Sequence, residues 1–411
     1  MSQYWEFLWR GAGEPLFGKK GFPDKLLPRI AQFGYWKNLL GIDFRIIHSD
    51  ATSRARSGML TTSRGEIPTP AFMPVGTRGV VKTLSPEEVR DIGYRMILAN
   101  AYHLYLRPGH TVVESLGGLH EFMQWSGSIL TDSGGFQIYS LARMSKVTEE
   151  GVLFQSHLDG LKHLFTPELS VAVQEALSAD IIMCLDDVRG YPIEKAEASD
   201  AADRTTRWAR RCLESKKRVD PALFGIVQGS MFSDLREMSA QSLTSLDLDG
   251  CAVGGLSVGE PREVMLEILE VTVPLLPDRS PRYLMGVGKP VDILDGVLRG
   301  IDLFDCVLPT RNARNGMLFT SKGPINMRNS CYRDDPRPAD PHCACALCAN
   351  YSRAYLRHLF LEKEIYGLRL ATIHNLSFYF QLMQDIREAV EQNRLRYFAQ
   401  EFVSHMEEHN D

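Results

Sequence analysis

The chain has 411 residues, of which 44% are hydrophobic and 24% charged, as in a globular protein of one large domain or of one with a satellite. Its net charge of -5 argues against a bulk electrostatic nucleic-acid binder, because such proteins are usually basic overall. No run approaches the ~20 apolar residues of a membrane span. Charged residues such as Glu6 and Arg10 also interrupt any signal-peptide core, so we expect a cytoplasmic protein with no membrane partner.

Residues 1–41 form an aromatic-rich extension. Its side chains include Trp5, Trp9, Phe22 and Trp36, a composition too aromatic for a solvated tail. We expect the extension to pack on the rest of the chain or on a partner subunit, unless the true start codon lies further downstream.

Beyond the extension, short apolar runs alternate with helix-like segments. Runs of this length that end in polar residues or glycine are typical of buried strands. They are Ala71–Val75, Met96–Ala99, Ser128–Thr131, Ile181–Leu185, Leu223–Val227, Cys251–Val253, Tyr283–Met285 and Ile301–Leu308. Eight such units predict an α/β fold of the (β/α)8 barrel type, which we assign to residues 42–309.

Local signals support this interpretation. Ser85, Pro86 and Glu88 offer an N-cap, a proline at the first helical position and a capping-box acid, which together predict a helix start. Residues 152–165 depart from the alternation of strands and helices, because apolar and polar residues alternate around Asp159-Gly160. That pattern predicts a β-hairpin inserted into the barrel.

The residues that follow the strands indicate where a pocket would form, since barrel enzymes collect functional residues at the carboxyl ends of their strands. These residues are Asn100, Asp132, Asp186-Asp187, Gln228-Gly229, Gly254-Gly255, Gly286-Val287-Gly288 and Asp305. We expect them to converge on one pocket. Glycines there admit a flat ligand, while carboxylate and amide groups suit the edge of a purine. Alternatively, the glycines serve only tight βα turns.

The segment Gly300–Gly316 joins an acid to a cationic loop. Asp305 lies near the end of the last apolar run, and Thr310–Arg314 follows with side chains suited to phosphates and base edges. From Arg311 to Arg337 basic residues outnumber acidic ones, which gives a local grip on nucleic acid that the overall charge lacks. A nucleophile beside such a grip predicts an enzyme acting on RNA or DNA. The competing interpretation is a carboxylate in a helix cap or surface ion pair, beside a solvated loop.

A cysteine cluster indicates a metal site. Cys343, Cys345 and Cys348 lie close together, and His374 follows. Three thiolates and one imidazole fill the positions of a tetrahedral zinc and leave none for water, so we predict one structural Zn2+ per subunit. His342 competes as fourth ligand, although its position next to Cys343 would strain the geometry. A buried thiol cluster with an unrelated histidine is the remaining alternative.

Six motifs together carry a family resemblance. In chain order they are TDSGGFQ (131–137), FGIVQG (224–229), VGGLSVGE (253–260), YLMGVGKP (283–290), FDCVLPTR (304–311) and the CxCxxC…H set. From about Phe44 to its C-terminus the chain resembles the queuine-type, bacterial-like tRNA-guanine transglycosylases. The resemblance implies an irregular (β/α)8 barrel with a zinc subdomain after the last strand. It also implies exchange of guanine 34, the wobble base of tRNAs with a GUN anticodon (Asp, Asn, His, Tyr), for a 7-deazaguanine base in queuosine biosynthesis.

The resemblance also assigns roles to residues. Asp305 matches the nucleophile and Asp132 the general acid/base. Base-binding residues are Ser133, Gly134, Gly135, Phe136, Asp186, Gln228, Gly255, Leu256 and Met285, of which Phe136 and Met285 match the two faces of a stacking slot. Segments that hold the anticodon loop are Gly286, Val287, Gly288, Lys289, Pro290, Val291 and Asp292, with Thr310, Arg311, Asn312, Ala313 and Arg314. The zinc ligands are Cys343, Cys345, Cys348 and His374.

The reaction can be argued from chemistry as well. A base is replaced without cutting the strand if a carboxylate attacks C1′ and forms a covalent intermediate that the incoming base then displaces. On this scheme the chain divides into residues 1–41, the extension; 42–309, the barrel with its catalytic face; 310–375, the zinc subdomain with basic contacts to the anticodon loop; and 376–411, a C-terminal helix and acidic tail.

Two positions bear on the incoming base. Val188 follows Asp186-Asp187, where bacterial members of the family often have cysteine, and it hints at room for the bulky base queuine. Val258 points the other way, since eukaryotic members tend to have glycine there. We therefore expect 7-aminomethyl-7-deazaguanine (preQ1) to be favoured over queuine.

Two alternatives of a different kind remain. One is a non-catalytic tRNA-binding accessory paralogue, which would not need Asp132 and Asp305 together. The other is the archaeal transglycosylase, which usually carries further C-terminal RNA-binding domains that we do not expect after residue 411. The resemblance suggests a homodimer.

Overall fold

The computed structural model describes residues 41–141 and 144–407. The predicted aromatic extension lies outside these ranges except for Gly41, so its packing stays a prediction.

The described residues form sixteen strands and fifteen α-helices. The strands are β1 (Asp43–Ser49), β2 (Arg56–Thr62), β3 (Gly65–Thr69), β4 (Ala71–Pro74), β5 (Met96–Asn100), β6 (Ser128–Asp132), β7 (Ser145–Val147), β8 (Val152–Gln155), β9 (Lys162–Phe165), β10 (Ile181–Met183), β11 (Ala222–Val227), β12 (Gly250–Val253), β13 (Arg282–Leu284), β14 (Leu303–Cys306), β15 (Met317–Thr320) and β16 (Gly323–Asn326). The helices are α1 (Pro86–Ile92), α2 (Ala101–Leu106), α3 (His110–Ser115), α4 (Gly118–Met123), α5 (Gly135–Leu141), α6 (Pro167–Ala176), α7 (Lys195–Ser215), α8 (Ser233–Thr244), α9 (Arg262–Thr272), α10 (Pro290–Leu298), α11 (Leu308–Arg314), α12 (Ala346–Asn350), α13 (Arg353–Leu361), α14 (Ile365–Glu391) and α15 (Leu395–Glu407).

Eight of the strands form a nearly closed parallel barrel. Their order is β4-β14-β13-β12-β11-β10-β6-β5, and a parallel bridge between Val75 and Leu98 joins the two ends of the sheet. Every apolar run taken from the sequence overlaps one barrel strand. The predicted α/β barrel is confirmed.

The barrel strands are apolar because both of their faces are covered. Leu98, Leu130 and Tyr283 belong to the cluster that fills the barrel, whereas Ile97 and Ile129 pack in the layer between strands and helices. Side chains alternate between the two faces of a strand, so a strand buried on both sides reads as a continuous apolar run.

Both local predictions are confirmed. The hydroxyl of Ser85 accepts a hydrogen bond from the Glu88 N–H at 3.3 Å, and the Glu88 carboxylate accepts one from the Ser85 N–H at 2.9 Å, which makes a complete capping box at α1. Strands β8 and β9 pair antiparallel around Asp159-Gly160, and β7 adds a third strand to this insertion.

Strands β1 to β3 form an antiparallel sheet that the sequence did not separate from the barrel. In β1, exposed and half-buried residues alternate, so this strand lacks the apolar run by which the barrel strands were found. The buried Arg56 guanidinium donates to the Asp302 carboxylate at 2.9 and 2.7 Å. Because Asp302 precedes β14, this sheet covers the amino end of the barrel and leaves the carboxyl end open.

The chain after β14 contains a helix where the sequence predicted a loop. Residues 308–314, which include the predicted cationic loop, form helix α11. Pro309 lies in the first turn, where a missing N–H leaves no bond unmade. Helix α14 then packs against β4, α1 and α11 and so takes the place of the barrel's eighth helix. The boundary predicted after residue 375 falls inside it.

In the described ranges we find no helix long and apolar enough to cross a membrane.

Candidate active site and metal centre

Asp305 lies at the carboxyl end of β14, where its side chain is partly exposed. Its Oδ1 accepts hydrogen bonds from the Tyr283 hydroxyl at 2.5 Å and from the Gly286 N–H at 2.8 Å. Burial raises the pKa of Asp305, and these two hydrogen bonds limit the rise. The partners are neither cations nor the end of a helix, so Asp305 is not the cap or the ion-pair residue of the competing interpretation.

Asp132 ends β6 and lies opposite Asn100 in the paired strand β5. Its carboxylate accepts hydrogen bonds from the Asn100 side-chain amide and, at 2.9 Å, from the Ala101 N–H. Burial raises the pKa of Asp132 to about 7, and the charge of nearby Asp305 adds to this effect. A carboxyl group with this pKa is available both as a proton donor and as a proton acceptor at neutral pH.

Asp186, Gln228 and Ser133 form a second polar group beside these acids. The Gln228 amide donates to Asp186 Oδ2 at 2.8 Å, and the Ser133 hydroxyl donates to Asp186 Oδ1 at 3.2 Å. Burial raises the pKa of Asp186 to about 6. A Cβ on Gly135 would lie 2.8 Å from Asp186 Oδ1, so only glycine permits this approach. The backbone therefore comes close to the carboxylate, as a slot for a flat ligand requires.

The expectation that Asp187 joins the pocket is wrong. Its carboxylate accepts hydrogen bonds from Arg189 at 2.9 Å and from Arg204 at 2.5 Å, and its N–H donates to the Thr205 hydroxyl at 3.0 Å. Successive residues of an extended backbone point to opposite sides. Asp186 thus faces the pocket, while Asp187 faces helix α7 and forms a structural ion pair.

The remaining base-binding predictions fall at the same end of the barrel. Gly134 and Gly255 have positive φ angles of 86° and 63°, which favour glycine. Leu256 is buried, Met285 is half-buried, and Phe136 in the first turn of α5 exposes 47% of its surface. An aromatic ring this exposed is available for stacking.

The two predicted RNA segments expose only some of their side chains. Between Gly286 and Asp292, Lys289 and Gly286 are exposed, Val287, Gly288 and Pro290 are buried, and Val291 is half-buried. The Asp292 carboxylate pairs with Arg262 at 2.9 Å. A single exposed cation thus remains in this segment.

The second segment, residues 310–314, also exposes only some of its side chains, because it is helical. Thr310 and Ala313 are buried, because the helix turns their side chains toward the core. Contact of this segment with RNA stays a prediction. Arg311 is exposed, and Asn312 and Arg314 are half-buried. Arg311 and Arg314 lie three residues apart and share one face of α11.

The predicted metal ligands come together. The donor atoms of Cys343, Cys345, Cys348 and His374 all lie within 4.8 Å of one another. His374 Nε2 lies 2.8 Å from the Phe319 carbonyl oxygen, which leaves Nδ1 facing the thiols, 3.3 Å from the Cys348 sulfur. A hydrogen bond from the outer ring nitrogen is the usual support of a metal-bound histidine. The set fits a tetrahedral metal ion, and His342 does not belong to it.

Sequence reasoning missed three residues of this site. Tyr283 holds the Asp305 carboxylate, and the only signal for it was a polar-tipped aromatic residue at the start of YLMGVGKP. Asn100 was noted at the end of a strand, but no role was assigned to it. Arg236 on α8 donates to backbone carbonyls around the pocket, and its sequence context is that of an ordinary surface helix.

Comparison with known proteins decides the family. A family model described as queuine tRNA-ribosyltransferase matches residues 50–408. The chain belongs to the queuine tRNA-ribosyltransferase family.

Curated relatives agree over nearly their whole length. A queuine tRNA-ribosyltransferase of Pelotomaculum thermopropionicum is 56% identical over 364 residues, 89% of this chain and 98% of that protein. One of Desulforamulus reducens is 54% identical over 362 residues, 88% of this chain and 98% of that protein. The predicted resemblance is thereby confirmed, and the chain is an enzyme of the pentosyltransferase class, a tRNA-guanine transglycosylase.

Proposed function

We propose that this transglycosylase exchanges guanine 34 of tRNAs with a GUN anticodon (Asp, Asn, His, Tyr) for a 7-deazaguanine base, by double displacement through a covalent enzyme-RNA intermediate. One observation carries the proposal. Asp305, held by Tyr283 and Gly286, lies close enough to Asp132 for its charge to help raise the pKa of that group to about 7. A nucleophile and a proton carrier thus share one pocket.

The exchange proceeds by two displacements at C1′. An Asp305 oxygen forms a bond to C1′ of the ribose while the bond from C1′ to N9 of guanine breaks, and Asp132 gives its proton to N9 of the departing base. Asp132 then takes the N9 proton of the incoming base as that nitrogen attacks C1′ and releases Asp305. Two inversions leave the anomeric configuration unchanged. Proton transfer of this kind contributes roughly 10²–10⁴ to the rate.

The second polar group suits the edge of a guanine-like base. The Asp186 carboxylate accepts from N–H donors such as N1–H and the 2-amino group, while the Gln228 amide and the Gly255 N–H suit the O6 acceptor. Phe136 and Met285 would cover the two faces of the ring. Binding in this way requires the base to leave its stack, and the free energy of unstacking is smallest in a single-stranded loop.

Two exposed cations at this end of the barrel support binding of the anticodon loop. Lys289 and Arg311 are exposed, and no hydrogen bond or ion pair engages their side chains in the described part of the chain. They are suited to phosphate oxygens, and contacts of this kind position the RNA without reading its sequence.

We propose that preQ1 is favoured over queuine as the incoming base. A Cβ on Gly259, next to Val258, would lie 3.8 Å from the Tyr191 carbonyl oxygen, so the loops that carry Val258 and Val188 are neighbours. A branched side chain at position 258 takes up room that a glycine would leave. Competition between the two bases on one tRNA tests this ordering. Val258→Gly should shift the preference toward queuine, whereas Val219→Gly, at an exposed loop position, should not; a wild-type preference for queuine contradicts the ordering.

We also propose that the metal is one structural Zn2+ per subunit and that the enzyme is a homodimer. Three thiolates with one imidazole are a donor set that zinc prefers. For the dimer, the exposed apolar residues Leu361 and Ile365, 46% and 75% exposed, are candidate interface residues. Sedimentation at micromolar concentration should give a dimer and Ile365→Glu a monomer; a monomeric wild type contradicts this.

The decisive assay is release of radiolabelled guanine from a tRNA with a GUN anticodon, with each candidate base added in turn. Wild-type protein should release the label from position 34 and fail on the same tRNA with adenine there. A protein that binds this tRNA without releasing label would instead be the non-catalytic accessory paralogue.

A further inference from the structure

Arg236 is a fully buried arginine at the fourth position of α8. Its Nε donates to the Ser230 carbonyl oxygen at 2.8 Å. Its Nη1 donates to the carbonyl oxygens of Val227 at 3.0 Å and Gly254 at 2.8 Å, and Nη2 lies 3.4 Å from that of Gly255. All four acceptors are main-chain carbonyls: Val227 ends β11, and the others belong to the two loops that follow β11 and β12.

The charge of this group needs an explanation, since an unpaired buried cation is costly. Burial lowers the pKa of Arg236 to about 9, and Glu260 opposes this effect, so the guanidinium remains charged at neutral pH. Among the described residues no carboxylate lies within ion-pair distance of it. The planar fork of five N–H donors is the feature that this site uses, because it can meet several carbonyls at fixed angles.

The two loops carry the residues that face the base. Gln228 lies between the two acceptors Val227 and Ser230, and Gly255 directly follows the acceptor Gly254. A Cβ on Gly229 would lie 2.8 Å from the Arg236 backbone nitrogen. The first loop therefore lies directly on the start of α8.

Peptide geometry connects Arg236 to the base edge. The Gly254 carbonyl and the Gly255 N–H belong to one planar peptide unit, which is not among the cis bonds of the chain, so they point in opposite directions. A carbonyl held toward Arg236 turns the Gly255 N–H away from it. This stretch of backbone also lies against the base-edge group, since a Cβ on Gly254 would lie 3.1 Å from Gln228 Nε2 and 3.7 Å from Asp186 Oδ2. The positively charged guanidinium beside the Gly254 carbonyl also polarises this peptide group and makes the Gly255 N–H a better donor.

We propose that Arg236 is a positioning residue for base recognition: its guanidinium ties the loop after β11 to the loop after β12, so that Gln228 and Gly255 present fixed donors to the incoming base. The inference rests on the proposed function, because it concerns the site that the exchanged base enters. It adds a role for a residue that lies behind the pocket and does not contact the base.

The test compares Arg236→Lys with Arg282→Lys. Lysine keeps the charge but is a single point donor that cannot span two loops. Arg282 is also a buried arginine, but it donates to the Leu276 carbonyl oxygen and to Asp278 at the amino end of the barrel. The measurements are KM for guanine, KM for tRNA, the melting temperature, and the preference for guanine over 2-aminopurine, which lacks the O6 acceptor.

Arg236→Lys should raise KM for guanine about 10-fold or more, as expected when a buried donor no longer meets its acceptor, and change KM for tRNA by less than about 2-fold. It should also reduce the preference for guanine over 2-aminopurine. Arg282→Lys should lower the melting temperature and leave both KM values and the preference unchanged. This pattern would establish the positioning role.

Other outcomes contradict the inference. They are an unchanged KM for guanine in Arg236→Lys, an equal rise of both KM values, or failure of this variant to fold while Arg282→Lys folds, which would make Arg236 a general stability residue. If wild-type protein exchanges no base, the proposed function fails separately. Calorimetric binding of preQ1 to the same three proteins then decides the role of Arg236.

Discussion

Replacing Asp132 by asparagine should show both the catalytic role of this carboxyl group and its effect on the unfolding free energy. Asparagine has nearly the same shape but cannot give a proton to N9 or take one from it. We expect kcat for base exchange to fall by roughly 10²–10⁴, the usual contribution of a positioned proton carrier. Binding of tRNA should be nearly unchanged, since Asp132 is buried and offers no charge at the surface to the RNA backbone.

The effect on stability follows from the pKa. Asp132 keeps its proton up to about pH 7 in the folded protein, whereas an unfolded aspartate loses it near pH ~3.9. The folded state therefore binds the proton more tightly. The stabilisation is complete below about pH 4 and is lost as the pH rises through about 7. A pKa difference of about 3, at about 1.4 kcal/mol per unit, makes the loss about 4 kcal/mol.

Urea denaturation between pH 5 and pH 8 measures the part of this loss that occurs above pH 5, about 3 kcal/mol. The unfolding free energy of wild type minus that of Asp132→Asn should fall by about 1.4 kcal/mol per pH unit up to roughly pH 6.5. It should level off above about pH 7, where folded wild type has also lost this proton; the variant has no proton to lose at this position. The amide that the substitution introduces is mispaired, which shifts the difference by a constant amount and leaves its slope unaltered. Asp385→Asn is the control, since burial also raises the pKa of Asp385 on helix α14; it should leave kcat unchanged. A free-energy difference that does not change between pH 5 and pH 7, or a variant with full activity, would exclude Asp132 as the proton carrier.

Three further predictions concern other parts of the site. Tyr283→Phe removes a donor to Asp305 and should raise the pKa of that nucleophile further, so the acid limb of the pH profile of kcat/KM should move to higher pH; an unmoved limb would contradict this. Asp187→Asn breaks the buried pair with Arg204 and should cost about 3 kcal/mol of unfolding free energy without changing KM for guanine, whereas a raised KM would return Asp187 to the pocket. Cys348→Ser should lose the bound metal, measured by elemental analysis, and lower the melting temperature; a chelator should do the same to wild type, and a variant that still holds one equivalent of metal would exclude Cys348 as a ligand.

The barrel could be read from the sequence because its strands are buried on both faces. Such strands give apolar runs that no turn residue interrupts, and the residue that ends each run falls at the open end of the barrel. Asp132 and Asp186 were found in this way, and Asp305 was found as an acid near the end of the last apolar run. The metal ligands were found because three thiols so close together in sequence are rare outside metal sites.

The features that the sequence did not predict depend on which way a side chain faces and on contacts between residues far apart in the chain. Nothing in the Asp186-Asp187 pair says which carboxylate faces the pocket, because that depends on where the strand ends and on Arg204 of a later helix. The helix at 308–314 was missed because the cationic segment was interpreted as a loop, although Pro309 is a good first-turn residue. Arg236 has a surface-like context, and its partners are carbonyl groups, which a sequence does not mark.

The most direct test of the account is the chemical identity of the intermediate. Wild-type enzyme mixed with a GUN-anticodon tRNA, then denatured and digested, should yield a peptide joined through an ester to the ribose of nucleotide 34, and fragmentation should assign the bond to Asp305. Asp305→Asn should give no such peptide and release no labelled guanine. An adduct on another residue, or base exchange by the Asp305→Asn variant, would contradict the account.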